Sequence, residues 1–118
     1  MCGRFTIIDI EEIRERFNTE PISLKPSYNV APTQDVPVII NDGSNHLAMF
    51  RWGLIPFWAK DSSIGNKLTN ARAETLDEKP SFKHCLQRKR CLVVADGFYE
   101  APIHHRMPVI LPREAEHV

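Results

Sequence analysis

Residues 36–52, VPVIINDGSNHLAMFRW, hold two apolar runs on either side of a polar turn. VPVII at 36–40 and HLAMFRW at 46–52 are short and rich in β-branched or aromatic residues. NDGSN at 41–45 separates them with the residue types that tolerate a tight reversal, so the stretch predicts an antiparallel hairpin. Working outward, residues 2–7 read as a further strand. Asp9 followed by Glu12 forms a capping-box pattern ahead of Ile10, Ile13 and Phe17 on one helical face. Pro21 to Pro32 reads as loop. On the other side, Gly53 to Ser63 (GLIPFWAKDSS) has apolar and aromatic residues with neither periodicity and a central proline, which predicts an ordered loop carrying exposed aromatics. Lys67 to Ala73 reads as extended, Ser81 to Gln87 as a short helix after Pro80, and RCLVVA at 90–95 as a buried strand entering Asp96-Gly97. MPVIL at 107–111 reads as another strand, and PREAEHV opens like a helix with Pro112 in its first turn. Strands with interspersed helices and no regular βαβ alternation predict an α+β fold of mostly antiparallel sheet with a few short helices.

The 118 residues suffice for one domain with a modest core. Nine prolines and five glycines agree with many turns. Basic and acidic side chains balance at 15 each, so the whole chain carries no polyanion-binding signature. Their distribution is uneven: residues 1–50 carry four basic and seven acidic side chains, whereas residues 51–106 carry ten basic and six acidic. A net basic middle suits a surface that tracks phosphates, and equally a solvated face. Neither a signal peptide nor an apolar span is visible, so an intracellular, cytoplasmic location without membrane association is expected. Three cysteines, Cys2, Cys85 and Cys91, leave an odd thiol in any disulfide scheme, which fits a reducing compartment. With His84, His104 and His105 they match no standard pair of zinc-ligand knuckles, so no metal is expected. There is no glycine-rich phosphate loop and no GxSxG, and no cofactor is expected.

Cys2 carries the most chemistry. Removal of Met1 would leave it at the N-terminus, with an α-amino group of reference pKa about 8 beside a thiol of about 8.5. Such a pair suits attack on an aldehyde, because the amine condenses to a Schiff base and the thiol closes onto it as a five-membered thiazolidine. A small residue at position two equally serves methionine removal alone.

The motifs MCGRF, SYNVAPTQ (27–34), RWGLIPFWAKD (51–61), TNARAET (69–75), SF (81–82), RCLVVADGFYE (90–100) and HHRMPVIL (104–111) occur in this order. The series resembles the SRAP family, SOS-response-associated peptidase-like proteins that shield abasic sites in single-stranded DNA, and covers most of the chain. The resemblance implies a covalent thiazolidine crosslink between Cys2 and the ring-opened aldehyde of an abasic deoxyribose. It implies Asn70 as a positioning residue, Glu100 as the acid/base carboxylate and His104 as the site histidine. Proton transfer is needed both to open the sugar and to expel water from the amine adduct, which a carboxyl or imidazole in an apolar pocket can supply. By the same resemblance Arg4, Arg72 and Arg106 are phosphate contacts, a task suited to the planar guanidinium fork. Trp58, with Phe57, would stack on a base or wedge against a duplex end; the alternative for Trp58 is a hydrophobic plug.

The chain departs from the family in one respect. Relatives place a long stretch of strands between the FYE motif and HxRMP, and only Ala101, Pro102 and Ile103 stand there here. The expectation is one SRAP-like domain over residues 1–118, incomplete between Glu100 and His104 and after Val118, with unpaired edges and apolar surface left behind. Three intervening residues span at most about 14 Å, so both side chains remain able to meet at one site. The expected activity is DNA–protein crosslinking of a lyase-like kind, with a peptidase releasing its own leader as a further family possibility and association with the nucleoid when DNA is bound. The alternative is an inactive or noncovalent single-stranded-DNA-binding remnant.

Overall fold

The computed structural model describes residues 2–21, 23–99 and 108–116. Their order is β1 (Arg4–Ile7), α1 (Ile10–Phe17), β2 (Ser27–Val30), β3 (Asp35–Asn41), β4 (Asn45–Arg51), α2 (Pro80–Arg88), β5 (Leu92–Val93) and β6 (Gly97–Tyr99), with single 3-10 turns at Ser62–Asn66, Ala73–Thr75 and Arg113–Ala115. Two three-stranded antiparallel sheets result, one in the order β2-β1-β6 and one in the order β4-β3-β5. The fold is α+β, as the sequence predicts.

The hairpin forms where the pattern places it. β3 and β4 pair in unbroken register from Asp35 opposite Arg51 to Asn41 opposite Asn45. Asn41 fixes the reversal: its Oδ1 accepts from the Gly43 N–H at 3.1 Å and its Nδ2 donates to Asn45 Oδ1 at 2.9 Å. Gly43 has φ +122°, a conformation that glycine reaches without strain. β3 is the central strand, and a continuous apolar run rather than an alternating one is what burial on both faces requires. Val36 and Val38 join Phe5 and Val30 in one core cluster, while Ile39, 0% exposed, joins Ile7, Ile13, Leu47 and Val94 in the other.

α1 begins at the predicted cap. The Asp9 carboxylate accepts from the Glu12 N–H at 2.9 Å, and Asn18 closes the helix in the left-handed region with φ 51°. The backbone N–H of Asp9 is satisfied by Asp96 Oδ2 at 3.2 Å, and the same oxygen also accepts from Ile8 N–H. Asp96 N–H in turn donates to Thr6 O at 2.9 Å. One carboxylate therefore fastens the entry of β6 to the junction of β1 and α1.

Four expectations are corrected. Ser27–Val30 is a strand within the segment read as loop, drawn in by pairing of Val30 with Phe5 and Ser27 with Ile7. Lys67 to Ala73, read only as extended, joins neither sheet, and its carbonyls serve single tertiary bonds such as Leu54 N–H to Leu68 O at 2.9 Å. RCLVVA shrinks to the two-residue β5, which pairs only with Val38 and Ile39, so Val93 is exposed. Residues 108–111 of MPVIL form no strand, having no partner among the described residues, and PREAEHV yields one 3-10 turn. That last turn is held to α1 by a bidentate ion pair between Arg16 and Glu116, with Nε to Oε2 at 2.9 Å and Nη2 bonded to Oε1. No helix among the described residues is long and apolar enough to cross a membrane.

Candidate functional site

Cys2 lies half-buried just before β1, packed against the cluster of Phe5, Val30, Val36 and Val38. Its Sγ is 3.6 Å from the Arg4 carbonyl oxygen, a thiol donor contact. The residue lines a groove of about 870 Å³ bordered by α1, by residues 91–98 and by residues 108–111. That volume falls in the range of ligand-binding clefts. Apolar side chains dominate the walls, with Glu12, Arg16, Asp96 and Glu116 among them.

Arg4 stands on β1 opposite Tyr99 of β6, and its guanidinium donates to Asn29 Oδ1 on β2 at 3.4 Å. The Tyr99 hydroxyl crosses the same sheet to donate to the Tyr28 carbonyl at 3.0 Å. β6 thus delivers the chain, up to the last described residue before Glu100, beside β1. Glu100, His104 and Arg106 lie outside the described residues.

Trp52 organises the loops around Cys2. Its ring sits 5.3 Å from that of Phe5 at an interplanar angle of 43°, and its Nε1–H donates to the Thr69 carbonyl at 2.8 Å. Its own backbone is locked to the loop after β2, by Trp52 N–H to Gln34 O at 2.9 Å and Thr33 N–H to Trp52 O at 2.8 Å. The loop bearing Asn70 is therefore tethered to the cluster against which Cys2 packs. Asn70 is exposed, with Nδ2 donating to Thr69 Oγ1 at 3.3 Å. Arg72, also exposed, caps the Ala73–Thr75 turn through its backbone.

The loop after Trp52 presents Phe57 and Trp58, 84% and 48% exposed. It is a built loop. Gly53, at φ +128°, passes so close to Gly65 that a Cβ there would meet the Gly65 carbonyl oxygen at 2.4 Å. The Asp61 carboxylate accepts from Ser63 N–H at 3.0 Å and from Ser63 Oγ–H at 2.8 Å, and these bonds hold its pKa below the ordinary value. Trp58 is covered over about half of its surface.

The residues that sequence reasoning missed are the supports: Trp52, Asn29 and Asp96. A tryptophan directly before a glycine at the end of a hairpin strand was the available signal for Trp52. No group of three or more His, Cys, Asp or Glu side chains able to hold a metal occurs among the described residues.

The family model for SOS response associated peptidase (SRAP) matches residues 1–102. The chain is 57% identical over 106 residues to the abasic site processing protein YoqW of Bacillus subtilis, covering 85% of this chain and 47% of that protein. It is 39% identical over 94 residues to the mouse abasic site processing protein HMCES, covering 69% of this chain and 27% of that one. A crystal structure of a protein from Bacteroides thetaiotaomicron superposes with a TM-score of 0.71 at 28% identity, covering 84% of this chain and 48% of that chain. The chain spans about half the length of the bacterial relatives it matches.

Proposed function

Because this chain belongs to the SRAP family, we propose that it handles abasic sites in DNA, capturing the lesion in single-stranded DNA through Cys2. The relatives named as abasic site processing proteins support the lesion class. One observation carries the finer reading: Cys2 is half-buried at the wall of a large groove, with Arg4 opening the strand that follows it and the Asn70 loop tethered to the same cluster through Trp52.

In this reading Met1 is removed and the α-amino nitrogen of Cys2 adds to C1 of the ring-opened deoxyribose. The resulting carbinolamine loses water to give an imine. The Sγ–H then adds across the C=N bond, sulfur to carbon and proton to nitrogen, closing the thiazolidine with net loss of one water. Glu100 and His104 supply the proton transfers, by resemblance to the family, and Asn70 hydrogen-bonds the sugar or amine without competing for protons. Arg4, Arg72 and Arg106 hold phosphates, and Trp58 with Phe57 meets the bases. A denaturing gel with an abasic oligonucleotide tests this: a shifted band from the wild-type chain and none from Cys2→Ala is expected. Equal yield from Cys2→Ala, or retention of the oligonucleotide only under native conditions, would replace it with a noncovalent binding role.

A further inference from the structure

Among the described residues Phe57 is the most exposed large apolar side chain, yet it does not stand alone. The ring of His84, on α2, lies 5.8 Å from it between centroids at an interplanar angle of 59°. That spacing is within the range of attractive tilted ring pairs. The two rings come from separate elements, and the loop under Phe57 is tied down by backbone contacts. It is cinched by the Gly53–Gly65 approach, by Leu54 N–H to Leu68 O at 2.9 Å and by Ala59 N–H to Pro56 O at 3.0 Å, with Pro56 buried. A fold that fixes a loop this firmly and leaves its phenyl ring in water has set that ring in place before any ligand arrives.

The charges along α2 and next to Phe57 are mainly positive. α2 (PSFKHCLQR) contains Lys83 and Arg88 and no acidic residue, Lys79 caps it, and Lys60 follows in the Phe57 loop. Asp61, the loop's acid, has its carboxylate occupied by Ser63. Exposed aromatics among cations are how single-stranded nucleic acid is bound: bases stack on π-faces while the backbone follows positive charge.

We propose that Phe57 and His84 form one aromatic platform on which a nucleobase of bound single-stranded DNA stacks, making α2 part of the nucleic-acid interface. The proposal rests on the reading that single-stranded DNA is the ligand, and it is independent of the covalent step at Cys2. His84 acts here as a stacking ring. Replacing it by another aromatic therefore keeps the platform, whereas replacing it by a cation does not.

The test measures fluorescence anisotropy of a labelled thymidine 15-mer with and without one abasic site, alongside crosslink yield, for the wild-type chain and for Phe57→Ala, His84→Ala, His84→Phe and His84→Lys. Loss of the Phe57 ring is expected to weaken binding of the intact 15-mer about tenfold and loss of the His84 ring a few-fold. His84→Phe restores wild-type affinity and His84→Lys does not. Unchanged melting temperatures separate these effects from misfolding, the positions being exposed. Wild-type affinity in His84→Ala, or failure of His84→Phe to restore what His84→Ala loses, overturns the platform even if crosslinking at Cys2 persists. Ring-dependent binding without any crosslink upholds the platform and removes the covalent reading. A wild-type chain that binds neither oligonucleotide overturns both.

Discussion

The indole N–H of Trp52 donates to the carbonyl of Thr69 at 2.8 Å while its ring packs 5.3 Å from Phe5. This one side chain couples the loop carrying Asn70 to the strand that begins two residues after Cys2. Trp52→Phe keeps the ring packing and removes the donor, leaving a part-buried carbonyl unsatisfied. A loss of about 1 kcal/mol in urea unfolding is expected. Crosslinking to an abasic oligonucleotide should slow by a larger factor than the stability loss explains, because the Asn70 loop is no longer anchored.

Gly53 and Gly3 offer a contrast. A Cβ at Gly53 would stand 2.4 Å from the Gly65 carbonyl oxygen on a backbone at φ +128°, whereas nothing lies within 4 Å of one at Gly3. Gly53→Ala is expected to destabilise the fold on the order of 1–3 kcal/mol and to shift the Phe57 and Trp58 resonances. Gly3→Ala should leave the thermal midpoint within experimental scatter. Equal melting curves for the two would contradict this geometry.

His46 sits between two carboxylates, Nδ1 at 3.3 Å from Glu20 Oε1 and Nε2 at 2.8 Å from Asp42 Oδ1. The hydrogen bond with Glu20, then the charge of Asp42, raise its pKa. The folded state therefore binds the imidazole proton more tightly than the unfolded chain does. The associated stabilisation is complete below the unfolded value near about 6.5 and is lost as pH rises through the higher folded value. The site is exposed, so the effect is small. NMR titration of the His46 ring should show a midpoint above that of the unfolded chain, and Glu20→Gln should lower it.

Val93 on β5 is exposed, and so are Val109 and Ile110, which are 79% and 66% exposed and line the same groove. An open strand edge beside apolar surface promotes self-association. Sedimentation velocity of the wild-type chain is expected to show a coefficient that rises with concentration. Val93→Lys and Ile110→Lys should flatten that dependence without lowering the thermal midpoint.

The hairpin, α1 and α2 were legible because their signals are local: a turn between apolar runs, Asp9 with Glu12, and Pro80 at a helix start. β2 was not, since SYNV between Pro26 and Pro32 becomes a strand only through β1. RCLVVA was over-read for the opposite reason, an apolar run that finds β3 on one side and no strand on the other. Among the site residues, Cys2 and the exposed pair Phe57 and Trp58 follow from residue chemistry and motif. The tethers that position them, Trp52 to Thr69 and Asp96 to the β1–α1 junction, are tertiary bonds across 17 and 87 or more residues, which no sequence window contains.

The mass of the product formed with an abasic oligonucleotide tests the Cys2 chemistry most directly. The chain lacking Met1 plus the oligonucleotide, minus one water, is expected, with the link on the peptide that starts at Cys2. That product should gain no hydrogen on borohydride treatment, and Cys2 should no longer alkylate. A product that gains two hydrogens, that maps to a lysine, or that forms equally from Cys2→Ser would contradict thiazolidine capture.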